Sequence, residues 1–281
     1  MIAHAGNKPK TFTVKILRQN SPGEPSYWER HELDYEAELN VISVLQKIAA
    51  KATTAKGKRV TPVAWDCGCL EEVCGACTMV INGRVRQSCS ALIDTLLESG
   101  SEIELRPMSK FPVIRDLVVD RQRMFSALKK LKTWVPVDGY YDLGPGPKQG
   151  RKQQEAAYPL SECMTCGCCL EACPQYNKVE LIQHQGESDE AFALRKKEVY
   201  DRNFVGPHAI SQVVLFNMNP TGKMNAGERL DALSDEGGLQ VCGNAQNCVA
   251  VCPKHIPLTT SIAQAGRALT FHTLRKWFDR S

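Results

Sequence analysis

The sequence predicts an α+β protein in two parts, a mixed sheet-and-helix part over residues 1–115 and an all-helical part over residues 116–281. Three observations predict this. Strand-like alternation and hairpin signals are confined to the first third of the chain, whereas the apolar spacing of the remainder is helical. The thirteen cysteines also fall in two groups, one in each part, from Cys67 to Cys89 and from Cys163 to Cys252.

The elements follow in order. "TFTVKIL", Thr11 to Leu17, puts Phe12, Val14 and Ile16 on one face, as a half-buried strand does. "SYWERHEL" follows a Pro/Gly-rich turn and pairs back as a hairpin. Asn40 caps a helix through "VISVLQKIAA", whose apolar stripe is Val41, Val44, Leu45 and Ile48. In "CTMVINGRVRQS", Asn82–Gly83 is a two-residue hairpin signal between short strands, and "EIELRPM" is the last strand. Asp116 sits at the N-cap position of a helix through "DLVVDRQRMFSALKKLK", with Leu117, Val118, Phe125, Leu128 and Leu131 apolar. The Pro- and Gly-dense stretch Trp134 to Gln154 reads as irregular connecting chain. Further helices are expected over Gly206–Asn217, Asn225–Leu233 and Pro257–Phe278.

With 43% hydrophobic and 23% charged residues, a chain of 281 residues can bury two cores. A net charge of +4 is far from the profile of a nucleic-acid binder. The opening "MIAHAGNKPK" lacks the apolar centre of a secretion signal, and no run of about eighteen apolar residues is present. The expected compartment is the reducing cytoplasm, where disulfides do not persist. The cysteines therefore point to metal.

In the first group, Cys69-x4-Cys74-x2-Cys77-x11-Cys89 reproduces the spacing of plant-type [2Fe-2S] ferredoxins. Three thiolates come from one tight loop and the fourth from the chain returning after the Asn82–Gly83 hairpin. Zinc sites favour paired C-x2-C knuckles, which this loop lacks. The x4 spacing selects Cys69 over Cys67, which is left as a spare thiol.

In the second group, Cys163-x2-Cys166-x2-Cys169-x3-Cys173-Pro174 is the bacterial ferredoxin run, whose fourth cysteine ligates the other cluster. A second run aligns on it from its Cys-Pro end: Cys252 with Cys173, Cys248 with Cys169, Cys242 with Cys163. Ala245 stands opposite Cys166. Cys163, Cys166, Cys169 and Cys252 then hold a [4Fe-4S] cluster. Cys173, Cys242 and Cys248 supply three thiolates around a vacant corner, the natural seat of a [3Fe-4S] cluster. A four-iron cluster with water or another ligand at that corner is the competing occupant. Eleven cysteines are thus used, leaving Cys67 and Cys168, the latter read as a buried small residue. No nucleophile–base pair, Gly-rich phosphate loop or flavin fingerprint accompanies them.

The combination resembles the iron–sulfur subunit family of succinate dehydrogenase and fumarate reductase over nearly the whole chain. The motifs that carry the resemblance are "CLEEVCGAC", "MVING", "PVIRDLVVD", "CMTCGCCLEACP" and "NCVAVCPK". It implies a plant-type ferredoxin-like (β-grasp) domain followed by an α-helical ferredoxin domain. It also implies a flavoprotein partner with covalent FAD that oxidises succinate or reduces fumarate. Electrons would pass through the two-iron, four-iron and three-iron clusters to a quinone at a membrane anchor, a cytochrome b with heme b. The chain would lie peripherally on the cytoplasmic face of the membrane. The quinone would approach the end of the first run, which makes Pro174, Tyr176 and Asn177 the candidates for its vicinity. Gly68 replaces the arginine common before the first ligand, "PQYNK" lacks the usual tryptophan, and Gly243 replaces a common histidine. With "WDCGCLEEVCGAC" and "CPKHIPLTTSIA", these departures point to the menaquinone-linked bacterial branch with a single diheme anchor. His184, His208, His255 and His272 are read as surface or packing residues. The alternative is an electron carrier of another membrane-linked or disulfide-reductase complex.

Overall fold

The computed structural model describes residues 9–135 and 147–279. They form two compact units, divided between Asp120 and Arg121.

The first unit is built on a five-stranded sheet. β1 (Thr11–Arg18) pairs antiparallel with β2 (Tyr27–Asp34) and parallel with β5 (Glu102–Arg106). β3 (Thr78–Ile81) pairs antiparallel with both β4 (Arg84–Gln87) and β5, giving the order β2-β1-β5-β3-β4. Asn82 and Gly83 join β3 to β4 with φ values of 48° and 77°. That pair of left-handed residues is what a twist-compatible two-residue hairpin requires. Phe12, Val14 and Ile16 all point into the core. Facing them, α1 (Val41–Lys51) buries Val41, Val44, Leu45 and Ile48. Asn40 caps it, its side-chain oxygen accepting from the Ser43 amide at 2.9 Å. A single turn, α2 (Ile93–Leu96), adds Ile93 to the same core.

The expected helix from Asp116 begins later. Val113–Arg115 (β6) and Val118–Val119 (β7) form a small hairpin, and α3 (Gln122–Lys130) starts beyond it. Two effects displace the helix. The β-branched pair Val118–Val119 suits a strand. The Asp116 side chain, fully buried, is also committed elsewhere: it accepts from Arg18 Nε and Nη2, each at 3.0 Å, and from the Ala64 amide at 2.9 Å. Arg18, itself 1% exposed, also binds Glu29 at 2.6 Å and the Thr61 carbonyl at 2.9 Å. Two buried carboxylates clasp one buried guanidinium, and together they fix Thr61–Ala64, the segment that leads into the first cysteine loop. Leu117 joins the core of this unit.

The second unit is helical: α3, then α4 (Arg151–Ser161), α5 (Cys168–Glu171), α6 (Asp189–Arg202), α7 (Pro207–Met218), α8 (Ala226–Ser234), α9 (Asn247–Ala250) and α10 (Leu258–Phe278). The expected connecting chain Trp134–Gln154 lies partly outside the described residues, and its last four residues open α4. α7 is the axis. It buries residues on nearly every side and packs against α10, α4, α8, α3 and α5. Gly206 (φ 90°) precedes it, where a Cβ would fall 2.2 Å from Leu170, so the start of α7 closes directly onto α5. Arg229 is fully buried; it donates to the carbonyls of Lys132, Gly222 and Trp134 and to Asn217. α5 and α9 touch, which brings the two bacterial-type cysteine runs together.

Candidate metal centres

The first loop leaves the fixed segment Thr61–Ala64 and folds back on itself. Leu70 (φ 63°), Glu72 (φ 56°) and Gly75 (φ 71°) are left-handed, and such residues turn neighbouring N–H groups inward as an anion-binding concavity. Glu71 N and Val73 N both donate to Cys69 Sγ at 3.4 Å, and Ala76 N donates to Cys74 Sγ at 3.4 Å. Those amides bring the Cys69 thiol down to about 7. A side chain at Gly68 would put its Cβ 3.2 Å from Cys74 Sγ, so the loop closes tightly over that sulfur. Cys77 and Cys89 are buried side by side behind it. Burial, with Cys77 adjacent, pushes the Cys89 thiol up to about 12. Gln87, opposite Thr78 in the hairpin, reaches Cys77 Sγ at 3.6 Å. Cys67 is exposed.

Among the described residues of the second unit, two hollows are walled by cysteines. One is walled by Cys163, Cys166, Cys169 and Cys252, together with Cys168 and His208. Burial pushes the thiols of Cys163, Cys169 and Cys252 up, Cys169 furthest. Backbone amides of Ile256, Lys254 and His255 aim at Cys252, and that of Thr165 at Cys163. The other hollow is walled by Cys173, Cys242 and Cys248, with Ala245 among them. Asn244 (φ 53°) and Gln246 (φ 62°) are left-handed on either side of Ala245 and hold it in the wall. Each hollow draws cysteines from both runs: Cys252 follows α9 yet lines the hollow of the first run, and Cys173 follows α5 yet lines that of the second.

The donor set fits inorganic clusters. Among the described residues no three Cys, His, Asp or Glu side chains close around a single ion. The thiols instead line hollows with inward-turned amides, which suit sulfur-bridged iron. His208 is buried, and its Nδ1 has no hydrogen-bond partner among the described residues, while Nε2 faces the Met124 carbonyl at 3.3 Å. A buried polar atom on the wall of a hollow calls for a partner inside it.

Two family profiles match: the 2Fe-2S iron-sulfur cluster binding domain over residues 13–126 and the 4Fe-4S dicluster domain over residues 159–256. The chain is 51% identical to the succinate dehydrogenase iron–sulfur subunit of Bacillus subtilis over 272 residues, 97% of this chain and 98% of that one. It belongs to the family of succinate dehydrogenase iron–sulfur subunits. The fumarate reductase iron–sulfur subunit of Wolinella succinogenes is 27% identical, with 92% of this chain and 98% of that one covered. A chain of the Mycobacterium smegmatis Sdh1 complex in the apo form shares the fold, with a TM-score of 0.67 at 21% identity over 92% of this chain and 95% of that one.

Within this family member the three quinone-vicinity candidates separate. Pro174 is exposed and lines the three-cysteine hollow. Asn177 is exposed, and its carbonyl accepts from Arg123 Nη1 at 2.5 Å. Tyr176 is fully buried, with the Arg123 guanidinium 3.9 Å over its ring, and burial pushes its phenol up. His184 and His255 are exposed, and His272 pairs with Asp231 at 2.8 Å. Sequence reasoning missed Gln87 and the wall positions of His208 and Cys168. The hairpin register carries a signal for Gln87; the other two depend on tertiary packing.

Proposed function

We propose that this chain, an iron–sulfur electron-transfer subunit of succinate dehydrogenase, carries electrons between a flavoprotein and a quinone through three separate centres. The single observation that carries this reading is the division of the cysteines into one surface loop and two hollows, the second hollow with three thiols and Ala245. Cys69, Cys74, Cys77 and Cys89 would hold [2Fe-2S]. Cys163, Cys166, Cys169 and Cys252 would hold [4Fe-4S], and Cys173, Cys242 and Cys248 would hold [3Fe-4S]. Bound clusters of these types supply one-electron transfer over a wide range of potentials.

The chain's own residues position and insulate. Loop amides neutralise charge on Cys69 and Cys74. The α5–α9 contact ties each run to the end of the other, so neither helical centre assembles without both. The methyl group of Ala245 offers no ligand at the fourth corner. Among the described residues no helix is long and apolar enough to cross a membrane. The reading therefore includes partners: a flavoprotein with covalent FAD, and a cytochrome b anchor with heme b that binds quinone, menaquinone by the branch that the cysteine motifs resemble. The chain would sit at the cytoplasmic face of the membrane, with Pro174, Tyr176 and Asn177 the candidates for the quinone's vicinity.

The test is anaerobic isolation of the complex, followed by identification of its subunits and low-temperature EPR. The expected result is a covalent flavoprotein, a heme-bearing anchor and three distinct iron–sulfur signals. Zinc in place of iron and sulfide, or co-purification with a disulfide reductase, would overturn it.

A further inference from the structure

Arg18 in the first unit is a buried guanidinium clasped by two carboxylates, Glu29 and Asp116. Arg123, on α3 in the second unit, is 6% exposed, and among the described residues no carboxylate pairs with it. Its Nη1 donates to the Asn177 carbonyl at 2.5 Å and its Nη2 to the Phe204 carbonyl at 3.1 Å, while its buried Nε–H has no partner among the described residues. The guanidinium lies 3.9 Å over the Tyr176 ring. Carbonyl dipoles and a ring face orient a cation, but they bring no counter-charge. Arg229, also buried in this unit, has the Glu228 carboxylate acting on it. A buried charge persists where an opposite charge or a metal answers it. The two carbonyls that hold Arg123 show where that answer lies. Asn177 comes four residues after Cys173, within about 14 Å of it by chain reach. Phe204 comes just ahead of Pro207, which lines the three-cysteine hollow, and His208, which lines the four-cysteine hollow.

We propose that Arg123 is the buried counter-charge of the two iron–sulfur centres in the helical unit, a positioning residue that holds the Asn177 and Phe204 carbonyls and by its charge raises both reduction potentials. This rests on the assignment of Cys163, Cys166, Cys169 and Cys252 to the four-iron centre and of Cys173, Cys242 and Cys248 to the three-iron centre. Thiolates and sulfides make each centre anionic, and each reduction adds one electron and one further negative charge. A guanidinium does not give up its proton. The positive charge therefore stays in place as the electron arrives, and no proton has to move with it. It stabilises the reduced form of each centre more than the oxidised one, and burial keeps water from screening it.

The experiment is an EPR-monitored redox titration of the complete complex with Arg123→Met, Arg123→Gln and Arg123→Lys. Arg123→Met removes the charge and leaves an apolar stem over Tyr176. The reduction equilibria of both helical-unit centres should fall about tenfold, the effect of one unit charge over roughly 10–14 Å at an effective dielectric of about 20. For a one-electron couple that is about 59 mV. Arg123→Gln also loses the charge but can still donate to one carbonyl, and its potentials should fall as far. Arg123→Lys keeps the charge and should stay near the unmodified values. This order separates charge from packing, because a purely structural role would not divide lysine from glutamine. Potentials that stay in place in a neutral variant, with both signals intact, overturn the proposal. So does a lysine variant whose potentials fall as far as those of the neutral ones. If Arg123→Met does not assemble, Arg123→Gln gives the same decision. A complex that lacks the four-iron or three-iron signal before any substitution overturns the ligand assignment instead.

Discussion

Cys69 and Cys169 both belong to ferredoxin-type cysteine runs, but opposite forces act on their thiols. Cys69 sits in a surface loop where two amides donate to its sulfur, and its thiol ionises at about 7. Cys169 sits at the start of α5 inside the helical unit, and burial raises its thiol well above the ordinary value. The first loop thus favours thiolate charge at Cys69 through its own backbone, whereas Cys89 behind it is raised by burial. Burial raises Cys163 and Cys252 in the same hollow as Cys169 as well, so for these three thiols the charged form depends on metal. What the difference teaches is where each region's order resides: in the loop's left-handed turns for the two-iron site, and in helix packing around α7 for the other two.

The sharpest way to break this comparison is to remove the favoured thiolate. Cys69→Ser should abolish or strongly alter the two-iron EPR signal and leave the helical-unit signals in place. Retention of the normal spectrum would reassign the first ligand.

Next in size is the support beneath the loop. Asp116→Ala leaves Arg18 with Glu29 as its carboxylate partner, removes two of its hydrogen bonds and frees the Ala64 amide. It should destabilise the first unit by about 1–3 kcal/mol, the cost of leaving buried donors unsatisfied. The urea concentration at which the two-iron signal disappears should fall, while that for the helical-unit signals stays fixed. A common shift of all three signals would show that the loop has no separate support.

A smaller effect probes the charge difference itself. With iron removed by chelation under reducing conditions, iodoacetamide should modify Cys69 with a rate that rises through pH 7, because the thiolate fraction grows as pH passes about 7. Cys169 should resist modification until far higher pH or unfolding. Peptide mass mapping reads both, and equal reactivity at neutral pH would contradict the contrast.

The smallest expected effect is none. Cys67→Ser should leave the two-iron spectrum unchanged, since this exposed thiol lies ahead of the loop that presents amides to Cys69.

Much of this molecule is legible in its sequence because local signals and tertiary structure agree. The alternation Phe12, Val14, Ile16, the Asn40 cap and the Asn82–Gly83 hairpin each act within a few residues, and each has the expected role in the first unit. Asp116 was illegible for the opposite reason. Its side chain answers Arg18, 98 residues away, and no helical spacing in "DLVVDRQRM" reports that partner. α6 left little trace because it buries only Tyr200, so its sequence lacks a strong apolar stripe. α4 was hidden by the Gly- and Pro-rich chain before it. In the candidate sites, cysteine spacing could be counted, and the reading of Cys168 as a buried small residue described its burial correctly.

The most direct measurement is low-temperature EPR of the oxidised, anaerobically isolated complex with and without Ala245→Cys. The account predicts a three-iron signal in the unmodified protein that disappears in the variant, where the introduced thiolate completes the fourth corner. A three-iron signal that survives the substitution unchanged, or none in the unmodified protein, would contradict the division of eleven cysteines among three centres.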